Sequence, residues 1–158
     1  MEILRYPNPI LKRPSAALLV VGNEERGILE NMAETMYSSH GVGLAAPQIG
    51  INKQLMVVDI GDKGLLRLIN PSVLKADGKE EMEEGCLSVP GIYINVKRPK
   101  KIKIKALNEN GREVSFEAAG LLARAIMHEI DHLRGKLIID HINPIKRLRI
   151  LKKNGYGK

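Results

Sequence analysis

Aromatic side chains are nearly absent: one Phe, four Tyr and no Trp among 158 residues. The core must therefore be aliphatic, built from Ile, Leu, Val and Met. Cysteine is scarcer still, and with Cys86 alone no internal disulfide can form. No apolar run approaches the roughly 18–20 residues that a membrane-spanning helix needs. The start, Met1-Glu2-Ile3-Leu4-Arg5, lacks the basic-then-apolar layout of a signal peptide. A cytoplasmic protein without a membrane partner is expected. Neither repeats nor low-complexity segments occur. One domain is expected, large enough to bury about 70% of its unfolded surface.

Acids are missing from one end. Residues 143–158 carry six cations (Lys146, Arg147, Arg149, Lys152, Lys153, Lys158) and no Asp or Glu; subtracting these six from the formal +7 leaves +1 for residues 1–142. A second basic cluster, Lys97 to Lys105, is offset by Glu80, Glu81, Glu83 and Glu84. The expected division is a nearly neutral body, 1–142, and a basic C-terminal tail or short helix, 143–158. Pro144 can open that helix, with Ile145, Leu148 and Leu151 on one apolar stripe before Gly155. The cations suit an RNA-rich ribosomal surface, and a solvated, solubilising tail accounts for them equally well. No DNA partner is expected.

What is present begins with an extended entry, Arg5-Tyr6-Pro7-Asn8-Pro9. Asn23 can cap a helix with Glu24 and Glu25 in its first turn. Ile28, Leu29, Met32, Ala33 and Met36 follow at helical spacing, and Gly41 is a plausible stop. Strands are expected at Leu55–Ile60, at Leu65–Ile69 (ended by Asn70-Pro71) and at Ile92–Val96. Lys101–Ala106 alternates, with Ile102, Ile104 and Ala106 inward and three lysines on a solvated face. Asn108-Glu109-Asn110-Gly111 is a hairpin turn, with Asn110-Gly111 able to supply positive φ angles. Arg112–Glu117 returns from it with Val114 and Phe116 inward. Short strands without βαβ alternation predict an α+β fold with antiparallel sheet.

The chemistry centres on His128-Glu129-Ile130-Asp131-His132, set in a run of helix formers with no Gly or Pro between Gly120 and Gly135. Residues four apart share a helix face, so His128 and His132 can hold one metal ion, with Glu129 in reach of a metal-bound water. Two zinc ligands and the general base of a metalloprotease have this spacing. Two solvated histidines on a surface helix are the plain alternative. Gly41-Val42-Gly43-Leu44-Ala45-Ala46-Pro47-Gln48-Ile49-Gly50 is a backbone that can be approached closely. It lacks the Gly-Lys-Ser/Thr ending of a phosphate loop and the order of a dinucleotide fingerprint. Gln48, its one polar side chain, suits either oxyanion stabilisation or a surface turn. Glu84-Gly85-Cys86-Leu87-Ser88-Val89-Pro90-Gly91 holds the cysteine on a constrained loop. By itself Cys86 reads as a buried hydrophobe, a nucleophile or a metal ligand. With His128 and His132 it would make a three-ligand set with one position left for water, a catalytic rather than a closed structural site. The remaining histidines, His40 and His141, lie in no ligand-like context.

Taken together, the segments Gly41–Gln48, Glu84–Ser88 and His128–His132 resemble, in order and spacing, the three signature motifs of bacterial peptide deformylases, and the likeness runs from Arg5-Tyr6-Pro7 to about Asp140. The resemblance implies a catalytic domain over 1–142. Its sheets would pack around a central helix carrying the histidines, with an N-terminal helix and a short basic C-terminal one. It implies removal of the N-formyl group from the formylmethionine of nascent chains, releasing formate. Cys86, His128 and His132 would hold one divalent metal, Fe²⁺ in the cell, with Zn²⁺, Ni²⁺ or Co²⁺ tolerated. The metal would bring the pKa of its bound water toward ~7. Hydroxide would attack the formyl carbon with Glu129 as general base and then acid. Gln48 and the Leu87 amide would meet the oxyanion. Val42, Leu121 and Ala125 would line the methionine pocket, and a wall at Gly43 would exclude larger acyl groups. Glu84 and Arg98 are either an ion pair bracing the Cys86 loop or solvated. Met127 stands where many members carry Gln, a packing change pointing away from the ligands. A metallopeptidase cutting internal bonds, a metal-stabilised RNA-binding protein and a weakly active paralogue are the rivals.

Overall fold

A computed structural model describes residues 1–157; Lys158, one of the six tail cations, lies outside the described residues. Among the described residues, seven strands and three α-helices follow one another as α1 (Asn23–Ser38), β1 (Gly43–Ala45), β2 (Leu55–Val58), β3 (Leu66–Asp77), β4 (Glu80–Gly85), β5 (Tyr93–Arg98), β6 (Lys101–Leu107), β7 (Glu113–Ala119), α2 (Gly120–Leu133) and α3 (Pro144–Lys153). Short 3₁₀ turns lie at Pro9–Lys12, Ala46–Ile49 and Ile138–His141. These seven strands pair antiparallel throughout, in a five-stranded sheet ordered β1-β2-β3-β6-β7 and a two-stranded β4-β5 ribbon. The architecture is α+β, as the sequence predicts.

The histidine helix α2 is central. Its Leu122, Ala123, Ile126, Ile130 and Leu133 pack on Met56, Val58, Ile102, Ile104 and Ala106 of the sheet. On the other sheet face Leu29, Met32 and Met36 of α1 meet Leu55, Val57 and Ile69. Strand β2 is thus covered on both sides, which is why it reads as an unbroken apolar run despite its antiparallel pairing. A third apolar cluster joins Ile92, Ile94 and Val96 to Leu11, Ile138, Ile139 and Leu151. Lys101, Lys103 and Lys105 face solvent, with Lys101–Glu117 at 3.1 Å and Lys105–Glu113 at 3.0 Å.

Several boundaries differ from expectation. Helix α1 is capped at Gly22, not Asn23, and Glu25 returns a carboxylate to the Gly22 N–H at 2.9 Å. At its C-terminus His40 takes the left-handed position at φ 57°, while Gly41 N–H reaches Met36 O at 3.0 Å and His40 N–H reaches Tyr37 O at 3.1 Å, a Schellman closure. The stop is therefore at His40, one residue before Gly41. Strand β3 does not end at Asn70-Pro71. Asn70 adopts φ 50° and the register with β6 shifts between Ile69 and Ser72, so a bulge absorbs the proline's missing N–H and the strand continues to Asp77. In the β6–β7 turn only Gly111 has positive φ (73°); Asn108 Oδ1 accepts from the Asn110 and Arg112 N–H groups instead. Strand β4 is not legible in the sequence, which shows only an acidic run there. The strand pairs that run with a basic neighbour, Glu80 opposite Arg98 and Glu81 opposite Lys97. On α3 the apolar stripe does not hold: Ile145 and Leu148 are each 67% exposed and only Leu151 is buried.

Candidate active site

Helix α2 presents His128 and His132 one turn apart, their Nε2 atoms 3.3 Å from each other. Cys86, on the loop after β4, brings its Sγ to 3.4 Å from His132 Nε2. Tetrahedral ligand atoms bound at about 2.1 Å (N) and 2.3 Å (S) stand roughly 3.4–3.6 Å apart, so this donor set fits one divalent ion. Burial alone would raise the Cys86 thiol, but the imidazoles of His132 and His128 outweigh it and bring it down to about 5. A lowered thiol pKa favours the thiolate, the form of sulfur that can coordinate a divalent ion.

Two backbone hydrogen bonds from the N-terminal segment staple the contributing loops together: Leu4 N–H to Gln48 O at 2.7 Å and Tyr6 N–H to Ser88 O at 2.9 Å. At Gly85 an added Cβ would lie 2.9 Å from the Tyr93 ring, so the absent side chain lets Tyr93 lie across the loop beside Cys86. Gln48 is buried within the Ala46–Ile49 turn, not on the surface. Its Oε1 accepts from the Ala45 N–H at 2.9 Å, while Nε2 donates to Ser88 Oγ at 3.1 Å and lies 4.0 Å from Cys86 Sγ. Among the described residues the Leu87 N–H has no hydrogen-bond acceptor.

Glu129 sits next to these donors, buried, and its Oε2 has no partner among the described residues. Burial pushes its carboxyl up, and the neighbouring imidazoles pull it back only in part. Gly43 lies against it: a Cβ there would stand 2.4 Å from Glu129 Oε1. The glycine wall read from the sequence is in this structure the clearance for the Glu129 carboxylate.

Behind the three donors runs a buried ionic network, of which the sequence suggests only a Glu84–Arg98 pair. Arg98 Nε and Nη2 each lie 2.9 Å from a Glu84 oxygen, Arg124 Nη1 adds a contact at 2.6 Å, and His128 Nδ1 lies 2.9 Å from Glu84 Oε1. Burial would raise the Glu84 carboxyl, but His128 and Arg98 hold it well below the usual carboxylate range. A carboxylate accepting Nδ1–H leaves the Nε2 lone pair of His128 for a metal. Met127 is half-buried against the sheet core.

A cavity of about 1140 Å³ opens onto these groups, and Val42, Gly43, Leu121 and Ala125 all line it. Met82 and Tyr93 line it too, and sequence reasoning misses both. Met82 belongs to the unrecognised strand β4, and nothing in the sequence marks Tyr93 as facing a site rather than solvent.

Three protein donors and an adjacent unpaired carboxylate, reached through a cavity of mixed polar and apolar lining, fit a mononuclear metallohydrolase better than a closed structural metal centre. Residues 1–148 match the family model described as Polypeptide deformylase. The chain is 45% identical to the peptide deformylase of Thermodesulfovibrio yellowstonii over 157 residues, 97% of this chain and 95% of that one. It is 50% identical to that of Syntrophomonas wolfei over 139 residues, 88% and 91% of the two chains. A peptide deformylase structure from Synechococcus elongatus in complex with actinonin superposes with TM-score 0.92 at 41% identity, covering 99% of this chain and 87% of that one. The chain belongs to the polypeptide deformylase family, metal-dependent enzymes that hydrolyse the N-formyl group. No helix among the described residues is long and apolar enough to cross a membrane.

Proposed function

We propose that this chain removes the formyl group from the N-terminal formylmethionine of nascent polypeptides in the cytoplasm, releasing formate, with Cys86, His128 and His132 holding one divalent metal. The observation that carries the reading is the convergence of those three donor atoms beside the unpaired Glu129 carboxylate, with Cys86, His128 and Glu129 lining the cavity. When bound, the metal acidifies water and polarises the formyl carbonyl. Fe²⁺ is the ion proposed in the cell; a thiolate with two imidazoles also suits Zn²⁺, Ni²⁺ and Co²⁺.

Glu129 takes the proton from the attacking water and delivers it to the departing amine nitrogen, because an amide anion is too basic to leave. Its burial and raised pKa favour holding that proton between the two transfers. Gln48 Nε2, fixed by its other bonds, and the uncommitted Leu87 N–H donate to the formyl oxygen as charge builds there, a contact worth roughly 3–4 kcal/mol when lost. Val42, Leu121 and Ala125, with Met82 and Tyr93, receive the methionine side chain; sulfur against the Tyr93 ring edge adds a favourable contact. Residues 1–142 are the catalytic body and 143–158 a basic appendage that meets the ribosome.

The deciding experiment purifies the protein anaerobically, measures its metal, and assays formate release from formyl-Met, acetyl-Met and unformylated peptides. About one metal per chain and turnover of the formyl peptide alone are expected. Cleavage of internal bonds in unformylated peptides would instead establish the metallopeptidase reading.

A further inference from the structure

We propose that His141 is a positioning residue for the metal ligand His128, acting through Asp131, Arg98 and Glu84. His141 closes the Ile138–His141 turn, and its Nε2 lies 2.7 Å from Asp131 Oδ2. The same oxygen accepts from Arg98 Nη1 at 2.6 Å. The far edge of that guanidinium grips both oxygens of Glu84 at 2.9 Å, and Glu84 Oε1 lies 2.9 Å from His128 Nδ1. An unbroken run of hydrogen-bonded groups thus joins an imidazole at the protein edge, 17% exposed, to a metal-facing one.

Charge does not require His141. Glu84 and Asp131 are already balanced by Arg98 and Arg124. What His141 adds is direction: its N–H fixes Asp131 Oδ2, and that oxygen with Glu84 sets the guanidinium plane between them. The plane sets the Glu84 carboxylate, and the carboxylate sets the angle at which His128 offers Nε2. Nor is His141 needed to hold its own turn. Asp140 accepts from the Leu137 N–H at 2.8 Å and from Arg147 at 2.8 Å, pairs with Lys12, and Ile138 and Ile139 are buried beside it. A purely structural clamp at His141 would be redundant.

The proposal rests on Cys86, His128 and His132 being metal ligands, so the wild-type chain is the control. Full-length protein is loaded with Co²⁺ as a spectroscopic probe in wild-type, His141→Phe and His141→Gln forms. The Co²⁺ absorption band, the rate of Co²⁺ loss to a chelator, and kcat and KM are measured separately. His141→Phe is expected to lose Co²⁺ about tenfold faster, shift the band, and lower kcat with KM within about twofold. His141→Gln keeps an N–H donor and is expected to recover most of the loss. If His141→Phe does not fold, His141→Asn, whose shorter amide falls short of Asp131, is measured the same way. A variant that melts earlier yet matches wild type in band and Co²⁺ loss overturns the relay alone. A wild-type chain with no thiolate-ligated Co²⁺ band overturns the ligand assignment and the relay with it.

Discussion

Gly43 and Glu129 share one small space. A methyl group on Gly43 would stand 2.4 Å from Glu129 Oε1, closer than real atoms allow, and its near neighbours would all be atoms of that one carboxylate side chain. Gly43→Ala must therefore move the group proposed to carry protons, and misplacement by about 1 Å costs on the order of 10²-fold. A kcat on formyl-Met peptide reduced by about that factor, with metal content unchanged, is expected from steady-state kinetics and metal analysis; an undiminished kcat would refute the contact. Glu129→Gln keeps the shape and removes the base, so formate release should fall by about 10²–10⁴-fold while the metal stays bound. Legibility at this scale is uneven. His128 and His132 announce themselves by helical spacing, whereas Cys86 needs the other two in place before its role is defined. Local sequence favours Gln48 as a surface residue because the groups that enclose it, Leu4, Ser88 and the Cys86 loop, are all distant in sequence.

At the scale of elements, Asn70 decides how far β3 runs. It holds φ 50°, and its amide bonds the Leu18 backbone twice, accepting from N–H at 2.8 Å and donating to C=O at 2.8 Å. Those two bonds dock residues around Leu18 onto the bulged strand. Asn70→Ala would forfeit both and leave an alanine in the left-handed region, costing about 2–3 kcal/mol in urea unfolding. Asn70→Gly, which tolerates the backbone but makes neither side-chain bond, should cost less than Asn70→Ala; equal losses would show that the backbone angle contributes nothing. Sequence punctuation at Asn70-Pro71 is real, but it marks a bulge rather than an end. Only the pairing of β3 with β6 across the bulge separates the two outcomes.

Across the whole molecule, Asp140 ties remote segments together: Lys12 near the start, the Leu137 N–H of its own turn, and Arg147 on α3. Burial alone would raise its carboxyl, but the Leu137 N–H and Lys12 outweigh it and hold it below the ordinary carboxylate value. Its stabilising contribution is then complete above the unfolded pKa of about 3.9 and lost as pH falls through the lower folded value. Asp140→Asn should cost about 1–2 kcal/mol at neutral pH and progressively less below about pH 4, read from denaturant unfolding across pH. A cost that grows in acid would contradict this. The tail is bound to the same body. Leu151 is buried beside Leu11, and Tyr156 meets the Tyr6 ring edge-on at 6.0 Å and donates to Pro90 O at 3.0 Å. Deleting residues 145–158 would open the core. Glutamine at Lys146, Arg149, Lys152 and Lys153, all exposed, removes only the charge. That variant should unfold like wild type and lose ribosome binding most visibly at low salt; unchanged binding would retire the ribosome proposal.

The sequence by itself determined the donor types, their helical spacing, the aliphatic composition of the core and the uneven charge. These are written in single residues and short periods. Tertiary structure alone decided that Cys86 stands 3.4 Å from His132, that Gly43 gives room to Glu129, and that Glu84, Arg98, Asp131 and His141 form one line behind the proposed metal ligands. The reason is separation along the chain. Local rules fix what a residue can do within a few neighbours, but a contact spanning 46 positions, as between Cys86 and His132, exists only once the β4–β5 ribbon and α2 have packed against each other.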